Sequence, residues 1–221
     1  MENTKRLMHL SWKTILIPCA VTLLLFSGIF SQRHALPFSP EVLTRDPLTL
    51  AGLPLYYGFF SNLGVMLWAS AAAVNFLGAA VLPGDRRKFL FMIVSGILLG
   101  CLALDDVYQF HDSVFPRLFN MREYITFSVY SLVLIAYLYY FRHVIFSSSN
   151  YLLLAAALLA LGSSMLIDVV LDYVLVYAPR ALIFIEDGPK ILGIVLLFIY
   201  YFDTVKKYIS ERVHTVPANS I

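Results

Sequence analysis

Six stretches of this chain are almost wholly apolar and long enough to cross a bilayer: about 14–31, 55–82, 89–115, 124–146, 151–177 and 181–203. A helix rises about 1.5 Å per residue, so roughly 20 apolar residues span some 30 Å of hydrocarbon. Several stretches exceed that length, which leaves room for tilt. Only 14% of residues are charged against 60% apolar. A soluble domain carries about 25% charged residues, so this chain has too few charges to coat a water-facing surface. The expected fold is all-α, a polytopic bundle of six transmembrane helices forming one integral membrane domain over 1–221.

Basic residues set the expected orientation, since Lys and Arg are enriched in cytosolic loops. Lys5, Arg6 and Lys13 precede the first stretch, Arg86, Arg87 and Lys88 the third; Arg142 closes the fourth, and Lys206, Lys207 and Arg212 follow the sixth. With six spans these fall on one side, which places both termini in the cytosol. Arg33, Arg45, Arg117, Arg122 and Arg180 fall on the other. The first stretch resembles a signal sequence but lacks a small-residue cleavage site, so it reads as an uncleaved span. Pro18 before Cys19, near the start of the run, argues against a lipoprotein site. Cys19 and Cys101 both lie in apolar runs and read as packing residues rather than a disulfide. Prolines 37, 40, 47 and 54 break up the one long outer connection, a connector or a lid. From about Val213 the chain reads as a polar tail. The net charge of +2 and the scattered basic residues give no nucleic-acid footprint.

Eight of the 14 acidic residues crowd toward the outer ends of stretches three to six: Asp105, Asp106, Asp112, Glu123, Asp168, Asp172, Glu186 and Asp187. Asp105 lies about 25 Å of helix from Lys88, Asp168 about 25 Å from Tyr151, and Asp187 about 28 Å from Lys206. Three helices therefore bring carboxylates to one slab. Ionised groups there are costly and should face the bundle interior or a water-filled cavity.

Helical spacing puts Asp105, Tyr108, Gln109 and Asp112 on one stripe, and Ser164, Asp168 and Asp172 on another. Glu186 and Asp187 are spaced to meet Lys190. His111 and Asp106 lie about 100° off the first stripe on opposite sides, so both enter one site only if the helix is distorted. Gly188-Pro189 suggests that the last helix either breaks or begins there.

Hard cations take several oxygen ligands, and one imidazole among carboxylates suits manganese, iron or zinc. The expected site is a divalent metal ion held by Asp105, His111, Asp112, Asp168, Asp172 and Glu186, supported by Asp106, Tyr108, Gln109, Glu123, Ser164, Asp187 and Lys190. Such a site serves a metal-dependent enzyme acting on a membrane-borne substrate. A cation or proton transporter is the alternative, disfavoured by the scarcity of charge in the inner halves, where Ser70 and Asn75 are among the few polar residues. A third reading is a membrane subunit whose acids pair with Lys190, Arg117, Arg122 and Arg180 and lock the helices together.

The segments Leu104-Asp105-Asp106-Val107-Tyr108-Gln109-Phe110-His111-Asp112 and Glu186-Asp187-Gly188-Pro189-Lys190 resemble motifs of an uncharacterised bacterial polytopic membrane family. That resemblance implies no particular activity; the expected location is the bacterial inner membrane, since the sequence shows no eukaryotic targeting feature. Alkaline-ceramidase-like hydrolases differ, since they carry a paired His-x-x-x-His that is missing here. Cation exchangers with a repeated Glu-x-Gly-Asp-Lys motif differ in residue order and copy number.

Overall fold

The computed structural model describes residues 12–31, 40–54, 56–82, 84–120, 123–148, 150–174 and 183–215. Within those helices, the side chains of Asp112, Glu123, Asp172 and Glu186 lie outside the described set. The regular structure among the described residues is all helical, with no strand. The chain divides into two compact units, Met1–Tyr57 and Gly58–Ile221.

The first unit holds α1 (Trp12–Ser31), with Pro18 inside it, and α2 (Pro47–Ala51) after a 3-10 turn at Pro40–Leu43. Asp46 caps α2 through Thr49 N–H at 2.8 Å, and Gly52 ends it at φ +63°. The described part of the proline-bearing connector is therefore short helical pieces, as proline spacing requires.

The second unit holds α3 (Phe59–Ala80), α4 (Arg86–Tyr108), α5 (Phe115–Phe119), α6 (Glu123–Ser148), α7 (Tyr151–Val174) and α8 (Ile183–Thr215). A five-residue π-helical turn, Phe110–Val114, separates α4 from α5. Among the described residues, α3, α4, α6, α7 and α8 are long and apolar enough to cross a membrane, while the apolar part of α1, Leu16–Ser31, is shorter. Large apolar side chains cover the outside of this unit, with Leu159 74% exposed and Leu132 67%. Surfaces of this kind suit lipid contact, and the chain has the length pattern and composition of a multi-pass membrane protein.

The helix ends depart from the expected spans in two places. The third stretch stops being α-helical at Tyr108 rather than about 115, because Gln109 turns left-handed at φ 51°. The sixth runs past 203 to Thr215, because Val205 and Tyr208 continue its buried face. At that basic end, Lys88 pairs with Glu211 at 3.0 Å and lies over the Tyr208 ring, and the Arg212 guanidinium donates to the Val81 carbonyl. Pro189 neither breaks nor starts α8, which begins at Ile183 and continues through it. Cys19 and Cys101 are free and exposed on their helices, not packed in the core as expected.

The buried core joins α3, α4, α6, α7 and α8 around Phe91, Met92, Ile194 and Tyr200. A chain of hydroxyls runs through it. Ser95 Oγ–H donates to the Phe91 carbonyl at 2.6 Å, Ser95 and Tyr137 hydroxyls are 2.7 Å apart, and Tyr137 and Tyr201 hydroxyls 3.1 Å apart. With Ser95 donating to the backbone, Tyr137 donates to Ser95 and Tyr201 to Tyr137. Every proton has an acceptor, and α4, α6 and α8 are tied at one level.

Candidate functional site

The reversal after α4 builds the site. Gln109 in left-handed conformation directs its N–H to the Asp105 carbonyl, and the π-helical turn follows, with Ser113 and Val114 N–H groups donating to Gln109 O at 2.9 and 3.2 Å. A non-glycine residue in that region costs about 1 kcal/mol or more, so surrounding contacts must hold it. Asp105 supplies them. Its Oδ1 accepts the His111 backbone N–H at 3.0 Å, and its Oδ2 lies 2.6 Å from His111 Nδ1. Tyr130 of α6 donates its hydroxyl to the same Oδ1 at 3.1 Å. Asp105 is only 5% exposed, so the carboxylate is sequestered among these donors. Phe127 of α6 packs against the imidazole with ring centroids 5.4 Å apart.

Asp106, the next residue, points elsewhere, as a 100° step along a helix demands. Its Oδ2 accepts Trp68 Nε1–H of α3 at 3.0 Å, and its Oδ1 pairs with Lys190 Nζ of α8 at 3.1 Å. Asp105 thus ties α4 to α6 and its own reversal, while Asp106 ties α4 to α3 and α8. The helix is distorted, and the distortion delivers His111 to Asp105 rather than to Asp106.

The structure corrects one expected grouping. Asp105, Tyr108, Gln109 and Asp112 do not form a continuous stripe, because α4 ends between them; Tyr108 is 59% exposed and Gln109 exposed, while Asp105 is buried. Lys190 reaches across to Asp106, and Asp187 is exposed. Ser164 is buried and Asp168 half-buried on α7. Asp112, Glu123, Asp172 and Glu186 lie outside the described side chains.

Trp68 and Tyr130 escaped the sequence reading. Tyr130 lies 12 residues before Arg142, about 18 Å from the basic end, and its side chain leans toward the helix N-terminus, which brings the hydroxyl to the Asp105 level. Depth matching by tyrosines as well as acids would have found it.

Among the described residues, no three His, Cys, Asp or Glu side chains gather as a metal-binding group. They supply one imidazole backed by a carboxylate, the usual support of a metal-bound histidine. Further oxygen ligands would have to come from acids beyond that pair.

A helical multi-pass membrane protein with a sequestered carboxylate–imidazole pair is what these features define. Residues 14–204 match a family model described as a domain of unknown function, DUF8692, and the chain belongs to that family. No curated protein and no solved structure gives a significant match.

Proposed function

We propose that the acidic end of the bundle carries an outward-facing intramembrane site for a divalent cation, with His111 as its imidazole ligand. The observation that carries the reading is the 2.6 Å approach of Asp105 Oδ2 to His111 Nδ1. That contact fixes the orientation of the ring, as the carboxylate behind a metal-bound histidine does. Asp105, with both oxygens accepting from the chain, orients the ring. Asp112, Asp168, Asp172 and Glu186 are the proposed oxygen donors, and the bound cation would polarise a group on a membrane-borne substrate or its water. The termini are read as cytosolic from the basic residues, and the membrane as the bacterial inner membrane.

Elemental mass spectrometry tests this on protein purified in mild detergent, beside Asp168→Asn and Asp172→Asn. The reading predicts a near-stoichiometric metal lost in the variants with the fold retained. No metal in the parent protein after supplementation contradicts it.

A second reading has its own support: the Asp106–Lys190 ion pair with Trp68 joins three helices. In that case the acids act chiefly to lock the bundle, and the protein is a non-catalytic subunit.

A further inference from the structure

The other end of the bundle, about 25 Å along α4 from Asp105, carries cations that the chain does not neutralise. α4 opens with Arg86, Arg87 and Lys88, and the last turns of α8 bring Lys206, Lys207 and Arg212. The two sets meet, because Lys88 pairs with Glu211 and Arg212 reaches the Val81 carbonyl. Three carboxylates, Asp85, Asp203 and Glu211, stand against these six cations and leave a net charge of +3. Asp85 is engaged in capping α4, where it accepts the Arg87 and Lys88 backbone N–H groups at 3.1 Å.

Lys206 and Lys207 are both exposed, and among the described residues neither forms an ion pair. Helical spacing puts Asp203 one turn before them and Glu211 one turn after Lys207. Glu211 is taken by Lys88 at 3.0 Å, and Asp203 makes no ion pair among the described residues. With Asp203, Ser210 and Glu211, the two lysines line a recess of about 350 Å³, room for a phosphodiester. Ser210 follows Lys206 by four residues and Lys207 by three, so a hydroxyl donor lies beside both amines.

The same face says what that phosphodiester is attached to. α8 carries no charge from Ile191 to Phe202, and charged residues resume at Asp203. The lysines therefore lie where hydrocarbon gives way to head groups. Phe202 and Ile209, 53% and 37% exposed, lie one turn to either side of Lys206 and flank its stem. Going outward along this face, an occupant meets an apolar ring, then two ammonium groups and a hydroxyl.

We propose that Lys206, Lys207 and Ser210 bind the phosphate of an anionic phospholipid whose acyl chain lies along Phe202. This site shares no residue with the proposed cation site and stands or falls without it.

Native mass spectrometry of the full chain tests it, with dioleoyl phosphatidylglycerol as the probe and dioleoyl phosphatidylcholine, of equal chains and no net charge, as control. After detergent is stripped, the wild type should retain one phosphatidylglycerol in preference to phosphatidylcholine. Lys206→Gln/Lys207→Gln should weaken that preference by roughly fivefold for each lysine, the scale of one basic residue near an anionic surface. Lys206→Arg/Lys207→Arg should keep it. Arg86→Gln/Arg87→Gln removes the same charge from the same end and should weaken it less. Equal retention of the two lipids by the wild type overturns the proposal and points to an acidic protein surface as the occupant. A preference unchanged in the lysine-to-glutamine variant, or lowered as far in the arginine variant, overturns it too. Both lysines are exposed, so the unfolding midpoint should hold; if the double variant does not fold, Lys206→Gln and Lys207→Gln taken singly give the same comparison.

Discussion

Asp105 and His111, six residues apart, meet twice: backbone N–H to Oδ1 at 3.0 Å and imidazole Nδ1 to Oδ2 at 2.6 Å. One carboxylate thereby caps a helix reversal and orients the ring that the reversal presents. Structure and site chemistry rest on the same atoms, so they should fail together. Asp105→Ala leaves the His111 and Tyr130 donors without their acceptor. We expect a loss of roughly 3 kcal/mol, the scale for breaking a buried pair, read as a lowered unfolding midpoint in detergent. A loss below about 1 kcal/mol would mean that the turn does not depend on this carboxylate.

The two tyrosines of α6 should differ. Tyr130→Phe removes one hydrogen bond, to Asp105, and should cost about 1 kcal/mol. Tyr137→Phe removes two hydrogen bonds from the hydroxyl chain, to Ser95 and to Tyr201, and should cost about 2 kcal/mol. Equilibrium unfolding of both variants gives the order; the reverse order would contradict the hydroxyl chain.

Asp106 and Lys190 should couple. Their contact is half in solvent on the lysine side, with side chains 11% and 40% exposed, so the expected coupling is about 1 kcal/mol rather than the larger value of a fully buried pair. A double-mutant cycle of Asp106→Asn and Lys190→Met measures it. Trp68→Phe should weaken the same junction through Asp106 Oδ2.

Close packing of α7 on α8 depends on Gly193. A Cβ there would lie 2.6 Å from Leu161 Cγ and 2.9 Å from the Leu161 backbone nitrogen. Backbone cannot turn aside, so Gly193→Ala should cost about 1–3 kcal/mol. At Gly78 a Cβ meets only side-chain ends, Val205 Cγ2 at 2.7 Å and Met92 Sδ at 3.0 Å, so Gly78→Ala should cost less. Thermal unfolding of the two variants checks the ranking.

The long apolar helices were legible because the membrane demands length and apolarity, which sequence displays directly. The position of the carboxylates on α4 was legible too, since 1.5 Å per residue converts sequence distance into depth. Three things were not. Periodicity assumes an unbroken helix, and nothing in Tyr108-Gln109-Phe110 signals that Gln109 turns left-handed, because its φ is held by contacts rather than by glycine. Hydroxyl partners such as Tyr130 and Tyr137 read as ordinary aromatics in apolar runs, and only tertiary packing reveals what their oxygens touch. The length of α8 was hidden for a related reason: beyond Asp203 its burial is on one face only, and average hydropathy falls where amphipathic packing begins.

The most direct measurement is X-ray absorption at the edge of whatever divalent metal purifies with the protein, for wild type and His111→Ala. The account predicts the outer-shell scattering of one coordinated imidazole in the wild type, and its loss, with most of the metal, in His111→Ala. A metal site with no imidazole signature, or no retained metal after supplementation, would contradict it and leave the Asp105–His111 pair as a cap on the helix reversal.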